Sequence, residues 1–354
     1  MIAGGGTAGH VNPAIALANA LSGDDVSFVG TATGAEADLV PAAGFALHRI
    51  EVEGFDRARP LALPAVGYRA ARAVAAARRH LREVEADVVV GMGGYVSLPV
   101  CIAASTARIP VVIHEQNIVF GLANRVAKRF ARRVAVSFRE SLPAAGRHGV
   151  FVGNPVRDEI VQMDRERERA AGIEELGLDP ARRTVLVFGG SQGARSINQA
   201  AVGLRDLWSD RTDRQIVHIT GRGFEPPHAE TSSLIYRSPS FMDRMIRAYA
   251  VADVAVCRGG ATTLAELTVV GLPALVVPYP YHRDRQQERQ ARVLEAGGAC
   301  RVVLDGELTP GQLGNDLDRI LGDDDTLDSM GAAALALGRP TAAADLADVV
   351  RGVA

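Results

Sequence analysis

Residues 251–290 hold the densest chemistry in the sequence, VADVAVCRGGATTLAELTVVGLPALVVPYPYHRDRQQERQ. An apolar run stops at Arg258-Gly259-Gly260. Ala261, Thr262, Thr263, Leu264, Ala265 and Glu266 then read as a helix start. The first amides of a helix have no partner within it, and the helix dipole favours negative charge there. Glycines let a phosphate approach those amides closely. Thr262 and Thr263 add hydroxyl donors. Glu266, one turn in, offers acceptors for both hydroxyls of a ribose diol. Thr263-Leu264-Ala265-Glu266 is also a capping box, in which Glu266 only satisfies a backbone amide. The loop 281–287 that follows is rich in Arg and Gln and ends at Gln286 and Gln287.

These residues need elements to hold them. Residues 254–257 and 274–277 are short apolar runs of the kind that form buried parallel strands. Strand, Gly-Gly, helix, strand is one right-handed crossover, and ligands bind such units at the carboxyl ends of the strands. The pattern recurs along the chain. Strands are expected at 26–30, 87–90, 111–113, 134–136 and 149–152, then at 184–188, 216–219, 233–236 and 300–303. Most end in polar or glycine-rich residues. A charged helix is expected over 165–175, and an Ala-rich helix over 341–353 that crosses back to the first half. The expected fold class is therefore α/β, with two doubly wound parallel-sheet domains. The first strand, Met1-Ile2-Ala3, is short enough to suggest a start site further upstream.

After that strand, Gly4, Gly6 and Gly9 fit the G-x-G-x-x-G of a dinucleotide fold. The confirming residue is an acid at the end of the next strand, on the ribose. Thr31 stands there instead, and Asp24 and Asp25 precede the strand. The nicotinamide reading loses its support, and a glycine loop facing a ligand is left.

Composition narrows the classes. The 354 residues suit two domains, and 47% hydrophobic content fills two cores. A net charge of −2 implies no nucleic-acid partner. Cys101, Cys257 and Cys300 have neither metal nor disulfide spacing, which suits a reducing cytoplasm. No apolar run approaches the ~18 residues of a membrane helix, and no signal peptide is read ahead of the first strand. Any membrane contact is expected to be peripheral.

Seven motifs in order carry a resemblance across nearly the whole chain. They are GGGTAGH at 4–10, GMGGYVSLP at 91–99, HEQN at 114–117, GNPVR at 153–157, GGSQGA at 189–194, CRGGATTLAE at 257–266 and DRQQ at 284–287. The pattern resembles the lipid II-forming UDP-N-acetylglucosamine:undecaprenyl-pyrophosphoryl-N-acetylmuramyl-pentapeptide N-acetylglucosaminyltransferases, the MurG family. The resemblance implies a GT-B architecture, two Rossmann-like domains with an intervening cleft. Residues 1–154 would be the acceptor and membrane side, with helix 340–354 packing back on it, and 155–339 the UDP-N-acetylglucosamine domain.

It also implies inverting transfer of N-acetylglucosamine to the C4 hydroxyl of the N-acetylmuramyl group of lipid I, with no cofactor and no metal. Carried over by motif position, Thr7, Ala8 and Gly9 border the donor, and Asn117 and Arg157 touch sugar or diphosphate. Ser191 lies near the phosphates, and Met242 cradles uracil through its backbone. Ala261 to Glu266 take phosphates and ribose, with Glu266 on the diol. Gln287 reaches the N-acetylglucosamine hydroxyls, and a loop one residue longer than usual lets Gln286 exchange with it. The implied partners are the donor, lipid I, an anionic membrane surface at the cytoplasmic face, and other cell-wall synthesis proteins. Two departures stand out: Ala8 where the family has glycine, and Leu98 where it has a small residue.

Several roles stay open at this level. His10 is a candidate general base, because a histidine titrates near working pH; it could instead donate to the diphosphate or a backbone carbonyl. Glu115 is the alternative base, or a buried carboxylate bracing its loop. Arg157 is a diphosphate ligand or a solvated hinge residue. Asp323-Asp324-Asp325 imitates a metal motif but reads as a polar turn. Arg69, Arg72, Arg78, Arg79 and Arg82 lie among Leu61, Leu63, Val66, Tyr68 and Val74; Arg125, Lys128, Arg129, Arg132 and Arg133 lie beside Phe120 and Phe130. Both runs suit anionic headgroups, and both also suit ordinary solvated helix faces. The rivals are another GT-B UDP-sugar transferase with a lipid acceptor, a nicotinamide oxidoreductase, and a non-catalytic sugar-nucleotide-binding protein.

Overall fold

The structure is a computed structural model and describes residues 1–52, 63–190, 193–228 and 233–354. It divides into two compact units, Met1–Arg157 with Arg339–Ala354, and Asp158–Gly338.

The first unit is built on strands β1 (Ile2–Ala3), β2 (Ser27–Gly30), β3 (Ala46–Arg49), β4 (Val89–Gly91), β5 (Val111–Glu115), β6 (Arg133–Val136) and β7 (Gly149–Phe151). They form one parallel sheet in the order β3-β2-β1-β4-β5-β6-β7. Its helices are α1 (Ala8–Ala20), α2 (Glu36–Ala42), α3 (Leu63–Glu83), α4 (Gly94–Thr106), α5 (Leu122–Ala127) and α6 (Leu142–Ala145), joined by the C-terminal helix, α15 (Ala342–Arg351). The central strands read as continuous apolar runs because helices cover both faces of the sheet. Alternate residues feed the two layers: Val89 and Ile113 join Val100, Leu81 and Val134 on one face, while Val90 and Val112 join Leu17, Phe28 and Leu346 on the other. Helix α15 belongs to that second layer through Leu346, Ala347 and Val350, and Arg351 closes the contact on Asp24 at 2.9 Å.

The second unit carries β8 (Arg183–Phe188), β9 (Arg214–Ile219), β10 (Ile235–Arg237), β11 (Val254–Cys257), β12 (Ala274–Val276) and β13 (Cys300–Val302), all parallel, in the order β10-β9-β8-β11-β12-β13. Its helices are α7 (Asp158–Val161), α8 (Arg165–Leu176), α9 (Arg195–Leu207), α10 (Met245–Val251), α11 (Ala261–Val270), α12 (Gln286–Ala296), α13 (Pro310–Leu321) and α14 (Asp324–Leu337). Val185, Val187, Val254 and Val256 pack with Ile197, Leu204, Trp208 and Leu317 in its core.

Three local expectations change. Strand β3 was not anticipated; Ala-Leu-His-Arg at a sheet edge is partly exposed and lacks an apolar run. The Asp323–Asp325 triplet is the start of a helix, with Asp323 at the N-cap of α14 and Asp324 paired to Arg183 at 2.5 Å. The second basic run loses its apolar companions: Phe120 is 5% exposed within the core and Phe130 packs against that cluster. Of the first run, Leu61 lies outside the described residues and the side chains of Leu63 and Val66 are not described. Val74 packs inward, while Tyr68 is 66% exposed with Arg72 6.0 Å from its ring. Among the described residues no helix is long and apolar enough to cross a membrane.

Candidate functional site

In the second unit, a pocket of about 560 Å³ opens at the carboxyl ends of β8 and β11. Two helices begin at its wall. Helix α9 starts after Ala194 and α11 after Gly260, both caps in extended backbone, with no side-chain cap bond and no acid in the first turn. Both N-termini thus bring partial positive charge to one cavity. Arg195 and Arg258 line the same pocket. Arg258 is held in place by Asp305 Oδ1 (2.5 Å), Ser196 Oγ (2.9 Å) and the carbonyls of Val277 (3.1 Å) and Pro278 (3.2 Å). Such a cavity suits a diphosphate.

The start of α11 at Ala261 decides the capping question. Thr263 occupies the third helical position and Glu266 the sixth, too far in to cap the amides. Glu266 is instead 6% exposed and accepts the Tyr249 hydroxyl on Oε2 at 2.7 Å. Thr263 lines the pocket, Thr262 and Ala265 are half-buried, and Ala261 and Leu264 turn into the core. Gln287 lines the pocket and accepts the Tyr279 amide at 2.9 Å; Gln286, the first residue of α12, is half-buried and does not line the pocket. The first turn of α12 presses on Gly259, where a Cβ would stand 2.6 Å from Gln287 O, and Gln290 Nε2 donates to Gly259 O at 2.8 Å. Met242 is buried outside the pocket lining, on a segment pinned to the end of β9 by Thr220 N to Pro239 O (3.1 Å) and Gly221 N to Ser240 O (3.1 Å). Ser191 lies outside the described residues.

The first unit gathers a second set of groups. Thr7 caps α1 in extended backbone, so Ala8 is already helical and its Cβ costs nothing there. The side chain of Thr7 and the ring of His10 meet at 3.2 Å (Oγ1 to Nδ1), with Gly9 exposed between them. Burial pushes the His10 pKa down, partly offset by the charge of Glu36, so the ring favours its neutral form. Glu36 is fully buried. Its Oε2 accepts Gly6 N (2.8 Å), and its Oε1 accepts Thr31 N (2.9 Å) and Thr31 Oγ1 (2.7 Å). Burial works to raise its pKa, but the bonds from Thr31 and Gly6 outweigh it and hold the carboxylate below its ordinary range. A Cβ on Gly5 would strike this carboxylate. One amide of the glycine loop, Gly6 N, is thus engaged by an internal anion.

Glu115 ends β5 fully engaged. Its Oε1 accepts Asn117 N (3.0 Å) and Asn117 Nδ2 (3.3 Å); its Oε2 accepts Gly121 N (2.9 Å) and Asn124 Nδ2 (2.9 Å). Four donors fill the carboxylate's acceptor positions, an arrangement that braces the loop, while burial outweighs them and pushes the Glu115 pKa up. Asn117 donates its amide to that brace. Arg157 is half-buried where the long segment of the unit ends. His114 donates to Gly153 O at 2.9 Å, and burial pushes it down to about 4. Leu98 packs against the core, with Tyr95. Among the described residues, one trio could hold a metal ion, His48, His80 and Glu83 with ligand atoms within 4.8 Å of one another. Glu83 is exposed there and also pairs with Arg79 at 3.3 Å.

Sequence reasoning missed Glu36, Ser196, Tyr249, Gln290 and Asp305. Each has a partner 30, 62, 17, 31 or 47 residues away, pairs that no local pattern signals, although Glu36 also binds Thr31 five residues before it.

Residues 1–136 match the family model of the glycosyltransferase family 28 N-terminal domain, and 184–348 that of its C-terminal domain. A UDP-N-acetylglucosamine–N-acetylmuramyl-(pentapeptide) pyrophosphoryl-undecaprenol N-acetylglucosamine transferase of Halothermothrix orenii is 37% identical over 370 residues, 99% of this chain and 98% of its own. A Nocardioides protein of the same name is 42% identical, covering 95% of this chain and 93% of its own. Among solved structures, Acinetobacter baumannii MurG superposes with a TM-score of 0.77 at 27% identity, over 99% of this chain and 98% of that one.

Proposed function

The chain belongs to glycosyltransferase family 28 and within it to the MurG transferases, and from that membership we propose its reaction. It transfers N-acetylglucosamine from UDP-N-acetylglucosamine to N-acetylmuramyl-(pentapeptide) pyrophosphoryl-undecaprenol, lipid I, and so makes lipid II for peptidoglycan. Its architecture is GT-B, two parallel-sheet α/β domains. The observation that carries the donor half is the pocket receiving the uncapped starts of α9 and α11 beside Arg195 and Arg258.

On this reading the diphosphate sits at those two helix starts, with Thr263 and Gln287 beside it and Glu266 on the ribose diol. Ser191 and the backbone at Met242 remain assigned to the phosphates and uracil by motif position. The departing UDP carries about two negative charges, which fixed amides and Arg258 meet without reorganising. The acceptor's C4 hydroxyl displaces it in one step with inversion. That hydroxyl needs a base, and the state of His10 suits the role. It is a half-buried imidazole whose pKa burial has lowered, able to take a proton at neutral pH. Glu115 serves the loop that presents Asn117. Arg157 is assigned to the diphosphate, also by motif position.

The acceptor is lipid-linked, which gives the exposed basic face of α3 a use. Arg72 and Arg79 are 62% and 67% exposed there, and Arg72 lies 6.0 Å from the ring of exposed Tyr68. We assign it to anionic headgroups at the cytoplasmic face of the membrane, peripherally. Arg72→Glu with Arg79→Glu should then release the protein from phosphatidylglycerol vesicles in a sedimentation assay and leave UDP affinity within about two-fold. Equal sedimentation of variant and wild type would refute the assignment.

The reaction is tested by incubating purified protein with labelled UDP-N-acetylglucosamine and a lipid I analogue in EDTA. Disaccharide product should form, and should fall ~10²-fold or more in His10→Ala and Glu266→Ala. Donor binding without product, under conditions where a known MurG turns over, would overturn the acceptor assignment.

A further inference from the structure

We propose that Tyr249 is a positioning residue that sets the donor site's preference for ribose over 2′-deoxyribose, acting through Glu266. The proposal rests on the reading that Glu266 holds the ribose diol.

Tyr249 lies on α10 and is 2% exposed. A buried phenol needs a hydrogen-bond partner. Its partner is the Glu266 carboxylate, at 2.7 Å across the gap between α10 and α11. A bond to a charged acceptor is short, strong and directional. The ring itself meets Phe188 edge-on, with centroids 6.1 Å apart and planes at 61°. Phe188 is the last residue of β8 and lines the pocket. Strand, helix and helix thus fix the hydroxyl, and the hydroxyl fixes one carboxylate oxygen.

That constraint has a consequence for selection. A carboxylate accepts only, and a vicinal diol offers two donors. Oriented by Tyr249, Glu266 meets both hydroxyls in one geometry. A ligand lacking the 2′-hydroxyl leaves a buried acceptor without its donor, which is the strongest form of rejection available to a small site. Without the tyrosine hydroxyl, Oε2 loses that directional restraint and tolerates more than one arrangement of donors, and the preference shrinks. Phenylalanine fills the same volume against Phe188, so the hydroxyl is separable from the packing.

The experiment measures the dissociation constants of UDP and 2′-deoxy-UDP by calorimetry for wild type, Tyr249→Phe, Glu266→Gln and the double variant, with kcat and KM for UDP-N-acetylglucosamine alongside. Wild type should prefer UDP by roughly 10- to 100-fold, the effect of a hydrogen bond to a charged group. Tyr249→Phe should shrink that preference to about three-fold or less and raise KM about five-fold while kcat changes less than two-fold. In the Glu266→Gln background, Tyr249→Phe should have no further effect on the ratio. A Tyr249→Phe protein that keeps the wild-type ratio overturns the proposal, as does an equal effect in both backgrounds. If wild type shows no preference, or Glu266→Gln retains it in full, the ribose assignment of Glu266 fails and the proposal falls with it, whatever Tyr249→Phe does. A general loss of stability weakens both ligands alike and leaves the ratio untouched, so it is not mistaken for the effect.

Discussion

Glu36 and His10 show how one residue's environment decides its chemistry. The Glu36 carboxylate is kept ionised by three donors, and its charge in turn raises the His10 pKa against the lowering effect of burial. If His10 is the base, the acid limb of kcat should lie below the ordinary histidine value of about 6.5. Glu36→Gln removes the raising influence, so the limb should move lower still; a limb that stays fixed or moves up, read from a pH–rate profile, rules out this coupling. The same substitution sets an amide NH₂ or a single oxygen against three donors and should cost about 2 kcal/mol in a urea melt at pH 7. Because the folded pKa of Glu36 is depressed, its contribution is present above the unfolded value of about 4.3 and is lost as pH falls through the lower folded value. The stability gap between wild type and Glu36→Gln should therefore narrow below about pH 4.

At the scale of elements, the two glycine loops of the first unit interlock. Gly94, which opens α4, has φ +77°, and a Cβ there would stand 2.5 Å from Gly5 O. Gly94→Ala should cost about 2–3 kcal/mol by adding a strained dihedral to a backbone clash. It should also displace the loop that carries His10, so turnover should fall further than UDP binding. Normal stability and turnover together would show that α4 does not position that loop. The close approach of α11 and α12 is the counterpart in the second unit: Gly259→Ala should push Gln287 off the pocket and weaken UDP binding measured by calorimetry, with the pH–rate limb of His10 unchanged. Helix starts were legible here because the strand-to-helix turns are local and glycine-marked. Edge strand β3 was not, since four partly exposed residues carry no periodic signal.

At the scale of the whole molecule, each unit has its own apolar core, and the first recovers its last helix from the end of the chain. Removing residues 339–354 strips Leu346, Ala347 and Val350 from the layer that holds Val11 and Leu17. The loss should be on the order of 5 kcal/mol from apolar exposure alone. The first unit should then melt early, while the second still melts cooperatively and is still stabilised by UDP. Calorimetry of the truncated chain checks this; a single joint transition abolished by truncation would mean the units do not fold separately.

Local patterning carries the periodicity of two parallel α/β sheets, the glycine turns at strand ends, and the motif order that resembles one transferase family. These are short-range signals, set by backbone sterics and by neighbours within a turn or a strand. It left Glu266 between cap and ligand, and Glu115 between base and brace. Tertiary structure shows that Glu266 does not cap and that four donors converge on Glu115, because burial and hydrogen-bond partners come from elsewhere in the chain. Tyr249 reaches Glu266 from another helix, and Asn124 reaches Glu115 from beyond its loop. Whether a carboxylate is engaged or available depends on donors that only the folded chain brings to it.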